Sequence, residues 1–449
     1  MDPDRLSETL STLAQKHQVP GAQLAIHHGG TTLAMEVGEL EYGTGRLVDR
    51  DAAFPIGSIS KSFTAAVAMI LVADGELELN TPLGAYLPEL GNGTDDLGAQ
   101  LTLRQLLSHT SGLRDGPDSM KIATFSLRRY VLENCRPSDL ILPPGTNFSY
   151  SNSGYVLAGH LIEVITGMTW WEAMESILLR PLGIEPAFLV TPDPRPLRRS
   201  IATGHSVNAS VGRTRPVEQS LALAEAPNSG LAVSAVDLVT FGLIQLGSRV
   251  STLLPSAYSE QMRQAVPSAE PFGLADGWGL GLAVFSKGNT VWVGHDGNAD
   301  GTACYVRVEP VNGYIVAFTC NANIGLKMWQ ELVGELGKAG LPIGNYSIIE
   351  ALGPPTAPPP GCVGSYLNGD HEFFSVTAQE NGDLSWGGEG EALPLVFHEG
   401  LIFSVEDRTS GQWTPAGRFL RDPITGDLDL VQMNGRVARR RVTHETGRR

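Results

Sequence analysis

The chain has 449 residues, enough for two domains, the larger with a sizeable buried core. Its 48 acidic residues outnumber 32 basic ones, and the net charge of −16 argues against binding a phosphate backbone or an anionic membrane surface. Four cysteines, Cys135, Cys304, Cys320 and Cys362, are too few for a disulfide scaffold of this size and lack metal-ligand spacing. They read as free, mostly buried thiols, and no metal site is expected.

The first eight residues carry neither the basic stretch nor the apolar core of a secretory signal, and no run of 18 apolar residues follows. The sequence therefore predicts a cytoplasmic protein that does not span a membrane. Asp2 caps a helix over residues 4–17 with Pro3 in its first turn. Alternating runs at 22–28 and 31–37, joined by Gly29-Gly30, form a hairpin. From 58 to 73 the apolar pattern becomes helical and stops at Gly75, which places Ser58 at a helix N-terminus. Its stretch 65–73 is apolar enough to be buried. Residues 102–246 read as mostly helical, with helices at 155–165 and 235–246. Strand patterns return at 290–293, 303–308 and 314–319 and are predicted to pair with the early strands in one antiparallel sheet.

Residues 351–361 hold the run Gly353-Pro354-Pro355-Thr356-Ala357-Pro358-Pro359-Pro360-Gly361, which can be neither helix nor central strand. It reads as a linker between a body at 1–350 and a β domain at 362–449. In that domain, runs at 373–377, 393–397, 401–405 and 428–432 alternate with turns, as in a small sandwich or barrel. The chain ends in Arg436, Arg439, Arg440, Arg441, Arg448 and Arg449, a basic patch read as a solvated tail.

The chemistry starts at Ser58-Ile59-Ser60-Lys61, where a serine and a lysine three apart share one helix face. Of six lysines only Lys61 has a serine three positions before it. A solvated pair has the same spacing, but Lys61 is embedded in an apolar helix. An unpaired ammonium is costly there and its pKa falls, so the amine can take the hydroxyl proton. The N–H of Ser58, at the helix start, is an oxyanion donor. Tyr150-Ser151-Asn152 adds a phenol that can shuttle protons to a leaving group and an amide that can hold a substrate amide or the Lys61 ammonium. Tyr366-Leu367-Asn368 has the same spacing inside the β domain, so spacing alone does not discriminate. His295-Asp296-Gly297-Asn298 follows the strand 290–293. The Asn298 N–H would be a second oxyanion donor, Gly297 would let substrate approach, and His295 would lie near the acyl carbonyl, although a lone His at a strand end is commonly structural.

In that order, Ser-x-x-Lys, Tyr-x-Asn and His-x-Gly resemble the serine β-lactamase and penicillin-binding-protein family, in the branch with class C β-lactamases, D-aminopeptidases and related esterases. Leu101-Thr102-Leu103-Arg104-Gln105-Leu106-Leu107-Ser108-His109-Thr110-Ser111-Gly112-Leu113 resembles the family's signature helix and turn. So do Pro181-Leu182-Gly183-Ile184 and Ser229-Gly230-Leu231 leading into Asp237-Leu238. The likeness spans about residues 5 to 350, and the segment from Gly364 onward resembles a lipocalin-like C-terminal domain. It implies an α/β (α+β) β-lactamase/transpeptidase-like fold with helices flanking an antiparallel sheet, a helical subdomain and a small C-terminal β-barrel. It also implies Ser58 as the acylated nucleophile, with Lys61 and Tyr150 sharing base and acid duties in an order left open. Asn152 would orient the substrate. His109 matches a structural turn.

His295 stands where many members carry a lysine that attracts a substrate carboxylate, and a neutral imidazole does so poorly. This departure, the absent export signal and the stretch Gly294 to Thr302 resemble stand-alone penicillin-binding-protein-type thioesterases of nonribosomal peptide assembly. The resemblance implies a peptidyl thioester on the phosphopantetheine of a carrier protein, a D-residue at the peptide's C-terminus, and head-to-tail macrolactam release. It implies no further cofactor, and the net charge of −16 already argues against a nucleic-acid partner. A D-aminopeptidase or esterase releasing the acyl group to water stays open as the alternative. Arg439, Arg440 and Arg441 are a candidate patch for an acidic carrier.

Overall fold

The computed structural model describes residues 2–441 except 92, 118, 123, 195, 248–252, 348–351, 370, 380–382, 388–392 and 407–410. Arg448, Arg449 and the expected boundary at 350/351 lie outside the described residues. Helix α1 (Pro3–Lys16) begins where the Asp2 carboxylate accepts the Asp4 N–H. Strands β1 (Gly21–His28) and β2 (Thr31–Gly38) form the expected hairpin. Gly29 and Gly30, at φ +58° and +78°, supply the left-handed turn that a two-residue loop requires.

Five later strands complete the sheet: β3 (Gly277–Trp278), β4 (Ala283–Lys287), β5 (Thr290–Ala299), β6 (Thr302–Glu309) and β7 (Tyr314–Cys320). The order is β2-β1-β7-β6-β5-β4-β3, and β1 pairs antiparallel to β7 with Ala25 opposite Ala317. Early and late strands thus close one antiparallel sheet. Strand alternation sends Leu24 and Ile26 toward the terminal helices and Ala25 toward the helical layer, so both faces are covered.

Four helices matter for the site: α2 (Ser60–Ala73), α3 (Asn152–Thr166), α4 (Ala235–Leu243) and α5 (Gly325–Lys338). Helices α1 and α5 cover one sheet face, and α4 packs on β1 and β7 on the other. Helix α2 is buried on nearly every side. Its polar side chains are individually satisfied: Ser62 donates to the Gly281 carbonyl, Thr64 donates to the Pro227 carbonyl, and Ser60 accepts the Leu231 N–H. Lys61 is the exception in kind, an ionisable group on a core helix.

The middle region is not wholly helical. It contains a hairpin, Gly204–Asn208 with Arg213–Val217, whose second strand is solvent-facing and carries no apolar alternation to read. Strand β5 runs through His295–Asn298 rather than ending before them.

The C-terminal segment is a closed eight-stranded barrel, from Gly364–Asn368 round to Arg436–Arg440. Tyr366, Phe374, Phe397, Phe403 and Phe419 fill its interior. Pro355–Thr356 pairs with the strand Leu393–His398, so part of the proline run is an edge strand on the barrel, a position where a missing N–H is tolerated. The arginine-rich end also departs from expectation. Arg436, Arg439 and Arg440 lie in the last barrel strand and pair with Asp115, Asp422 and Asp429, so they form no solvated tail. All four cysteines are buried free thiols. Among the described residues no helix is long and apolar enough to cross a membrane.

Candidate active site

Ser58 sits in a single 3-10 turn, Gly57–Ile59, that leads into α2. Gly57 has φ +49°, and a Cβ there would fall 2.1 Å from the Asn298 carbonyl oxygen. The turn is therefore pressed against the end of β5. Gly297 is needed for the same approach, since a Cβ there would meet the Ile56 carbonyl oxygen at 1.9 Å and the Ile59 nitrogen at 3.0 Å. Its role is to seat the nucleophile's turn, where the sequence suggested room for substrate. Ser58 and Asn298 are thereby brought together, with Ser58 half-buried and Asn298 exposed.

Lys61 Nζ lies 3.0 Å from Ser58 Oγ and donates to the Asn228 carbonyl at 3.1 Å. Among the described residues it forms no ion pair. Burial pulls its pKa down to about 7, offset only in part by Asp115 and Glu225 and reinforced by Arg436. A substantial fraction is neutral near pH 7, as a base for a serine hydroxyl requires.

Tyr150 lies with its ring centroid 5.0 Å from Lys61 Nζ. Burial pushes its hydroxyl up, while contact with the Ser58 side chain and the Arg436 charge pull it partly back. The ring stacks on His109 at 4.1 Å and meets Trp278 edge-on at 5.8 Å. His109, at φ +56°, holds both flanks of Tyr150: its carbonyl accepts the Ser149 N–H and its Nδ1 accepts the Ser151 N–H. Asn152 starts α3 behind the Ser151 cap, and its N–H donates to Asp115 Oδ1.

His295 lies on β5 opposite Val306, on the sheet face that meets α2, with its ring 6.3 Å from that of Tyr150. Its Nδ1 donates to the Asp296 carbonyl at 2.5 Å, and its Nε2 has no partner among the described residues. Burial, then the nearby Lys61, brings its pKa down to about 3, so the imidazole is neutral at physiological pH. Ser58, Lys61, Tyr150 and His295 thus converge from three separate stretches of chain. Tyr366 is buried in the barrel, where it donates to the Cys362 carbonyl and takes no part in the site.

Two residues of the site carried no motif. Arg436 reaches from the barrel, its Nε 2.6 Å from Asp115 Oδ2 and its guanidinium carbon 4.9 Å from the Tyr150 ring centre. The signal for the turn that delivers it is Asn434-Gly435, a two-residue hairpin sequence between the strands Leu430–Met433 and Arg436–Arg440. Its distant partner, Asp115, had none. Among the described residues no group of three or more His, Cys, Asp or Glu side chains is placed to hold a metal ion.

This arrangement, a serine beside a buried amine of lowered pKa and a phenol with main chain converging opposite, is suited to forming and cleaving an acyl ester. Comparison with known proteins agrees. The family profile described as Beta-lactamase matches residues 6–334. Penicillin-binding protein 4 of Amycolatopsis lactamdurans is 31% identical over 365 residues, 79% of this chain and 93% of that protein. The crystal structure of SurE has a TM-score of 0.88 to this chain at 39% identity, covering 98% of this chain and 99% of that one. The structure of SurE with D-Leu gives 0.85 and 38% over the same shares. A D-stereospecific amidohydrolase from Streptomyces sp. matches at 0.59 and 26%, covering 74% of this chain and 98% of that one. The chain belongs to the β-lactamase family, as a serine enzyme of the penicillin-binding-protein type.

Proposed function

We propose that this enzyme is a thioesterase acting in trans in nonribosomal peptide biosynthesis, which takes a peptidyl thioester onto Ser58 and releases it as a head-to-tail macrolactam. The observation that carries this reading is the neutral, buried His295 in place of a cation, beside a Lys61 poised near pH 7. A donor with a free carboxylate gains little from an uncharged imidazole, whereas a thioester has none to offer. The 38–39% identity with SurE over nearly the whole chain, and the D-Leu held in one SurE structure, support a peptide ending in a D-residue.

In this mechanism Lys61, with Tyr150, takes the Ser58 proton while Oγ attacks the thioester carbonyl, and the N–H groups of Ser58 and Asn298 hold the oxyanion. The C–S bond breaks and the phosphopantetheine thiol of the carrier leaves with a proton passed back through the same pair. The peptide's own amine then attacks the ester, the C–N bond forms, the C–O bond to Ser58 breaks, and the amine's proton returns to Oγ. Asn152 orients the acyl chain. The likeness to a D-stereospecific amidohydrolase favours one alternative, deacylation by water. Incubation with an N-acetylcysteamine thioester of a peptide ending in a D-residue separates the two. Cyclic product supports the thioesterase, linear acid alone supports the hydrolase, and a failure to acylate Ser58 overturns both.

A further inference from the structure

The barrel hairpin that carries Arg436 is wedged into the catalytic body. Asn434 and Gly435, at φ +46° and +70°, form its tip, and a Cβ on Gly435 would meet Leu274 at 2.3 Å and Phe148 at 3.1 Å. The tip and its flanks hold consecutive residues of the segment leading into Tyr150. Gln432 Nε2 donates to the Phe148 carbonyl at 3.1 Å, the Val437 N–H donates to Ser149 Oγ at 3.1 Å, and the Tyr150 N–H donates to the Gly435 carbonyl at 2.8 Å. Asn368 does the same for the loop under Asn152. It accepts the Asp115 N–H at 3.1 Å and donates to the Val437 carbonyl at 2.8 Å, while Asp115 Oδ1 accepts the Asn152 N–H.

We propose that the barrel is a positioning element of acyl transfer: Gln432, Gly435, Val437 and Asn368 fix the main chain that aims Tyr150 and Asn152 at Ser58. Within the catalytic body His109 holds residues 149 and 151, and the acceptor for the Tyr150 N–H between them comes from the barrel. Gln432, Asn368 and Ser149 are positioning residues, acting through Tyr150 and Asn152. Shifts of ångström size at a reacting group cost roughly 100-fold in rate, so small movements of the barrel reach the chemistry.

This rests on the assignment of Ser58, Lys61 and Tyr150 to acyl transfer, and the test separates the two. The full chain is first assayed with p-nitrophenyl acetate and with the D-terminal N-acetylcysteamine thioester. Activity that survives Ser58→Ala sinks the assignment itself. Given Ser58-dependent turnover, Gln432→Glu, which keeps the acceptor for Arg418 but loses the donor to the Phe148 and Glu270 carbonyls, and Asn368→Ala are expected to lower kcat for both substrates roughly 10- to 100-fold, with KM nearly unchanged and the alkaline limb of the pH profile displaced. Ser404→Ala, a barrel variant that removes a hydroxyl paired with His398, controls for general loosening and is expected to keep wild-type kcat. Folded Gln432→Glu and Asn368→Ala proteins with wild-type kcat and pH profile, or losses matched by Ser404→Ala, would overturn the proposal.

Discussion

Lys61 and Arg307 are both fully buried basic side chains, one on α2 and one on β6, and the molecule treats them in opposite ways. Arg307 has an ion pair with Asp296 at 2.5 Å, donates to the Gly344 carbonyl and Asn345, and stacks 3.7 Å over Phe285. Lys61 has a serine hydroxyl and one carbonyl. Equal burial thus goes with a structural ion pair where a carboxylate is in contact, and at Lys61, where none is, with an amine whose pKa burial pulls down. The two meet at β5: Asp296 faces Arg307 on one side of the strand, and His295 faces Lys61 on the other. The scaffold ion pair therefore anchors the strand that presents the oxyanion donor.

The sharpest way to break this contrast is at the nucleophile. Ser58→Ala is expected to reduce thioester turnover by roughly 10^4-fold or more, leaving only binding and oxyanion stabilisation, as steady-state kinetics will read. Lys61→Met comes next, with acylation lowered by about 10^2- to 10^4-fold. The same substitution is expected to stabilise the fold, with a sign set by linkage. Lys61 binds its proton with a pKa of about 7 folded and 10.5 unfolded, so its burial costs most below pH 7 and the cost disappears as pH rises toward 10.5. Lys61→Met should therefore unfold about 3–5 kcal/mol later than wild type at pH 6, with the gap closing on the alkaline side, in denaturant titrations at several pH values.

Arg307 should respond in the opposite sense. Asp296→Ala leaves a buried guanidinium without its carboxylate and is expected to destabilise by about 1–3 kcal/mol, the low end because Asp296 is 39% exposed and partly screened. The smallest effect is expected at His295→Lys. A cation there should raise acylation by benzylpenicillin roughly tenfold, limited by repulsion from Lys61; no gain would detach His295 from donor choice.

Much of this contrast is legible in the sequence, because it is local. The Ser58–Lys61 spacing, the apolar surround of α2 and the glycine turn of the first hairpin all depend on residues within a few positions of each other. The sequence pattern puts His295 at a strand end, because Gly294 and Gly297 interrupt the apolar pattern that β5 continues through. What was missed is non-local. Arg436 and Asp115 are 321 positions apart, and nothing near either one announces the other. The arginine run looked like a solvated tail because its acidic partners, Asp115, Asp422 and Asp429, come from another loop and from turns within the barrel. The same pairing removes Arg439 and Arg440 from the list of free charges available to an acidic carrier.

The central feature is the lowered pKa of Lys61 beside Ser58. Single-turnover acylation by the D-terminal N-acetylcysteamine thioester, followed by intact mass between pH 5 and 9, tests it most directly. The rate is predicted to rise with pH to a plateau with an inflection near the Lys61 value of about 7, with the adduct on Ser58 and the rise abolished in Lys61→Met. A flat profile, or an adduct on any other residue, would contradict it.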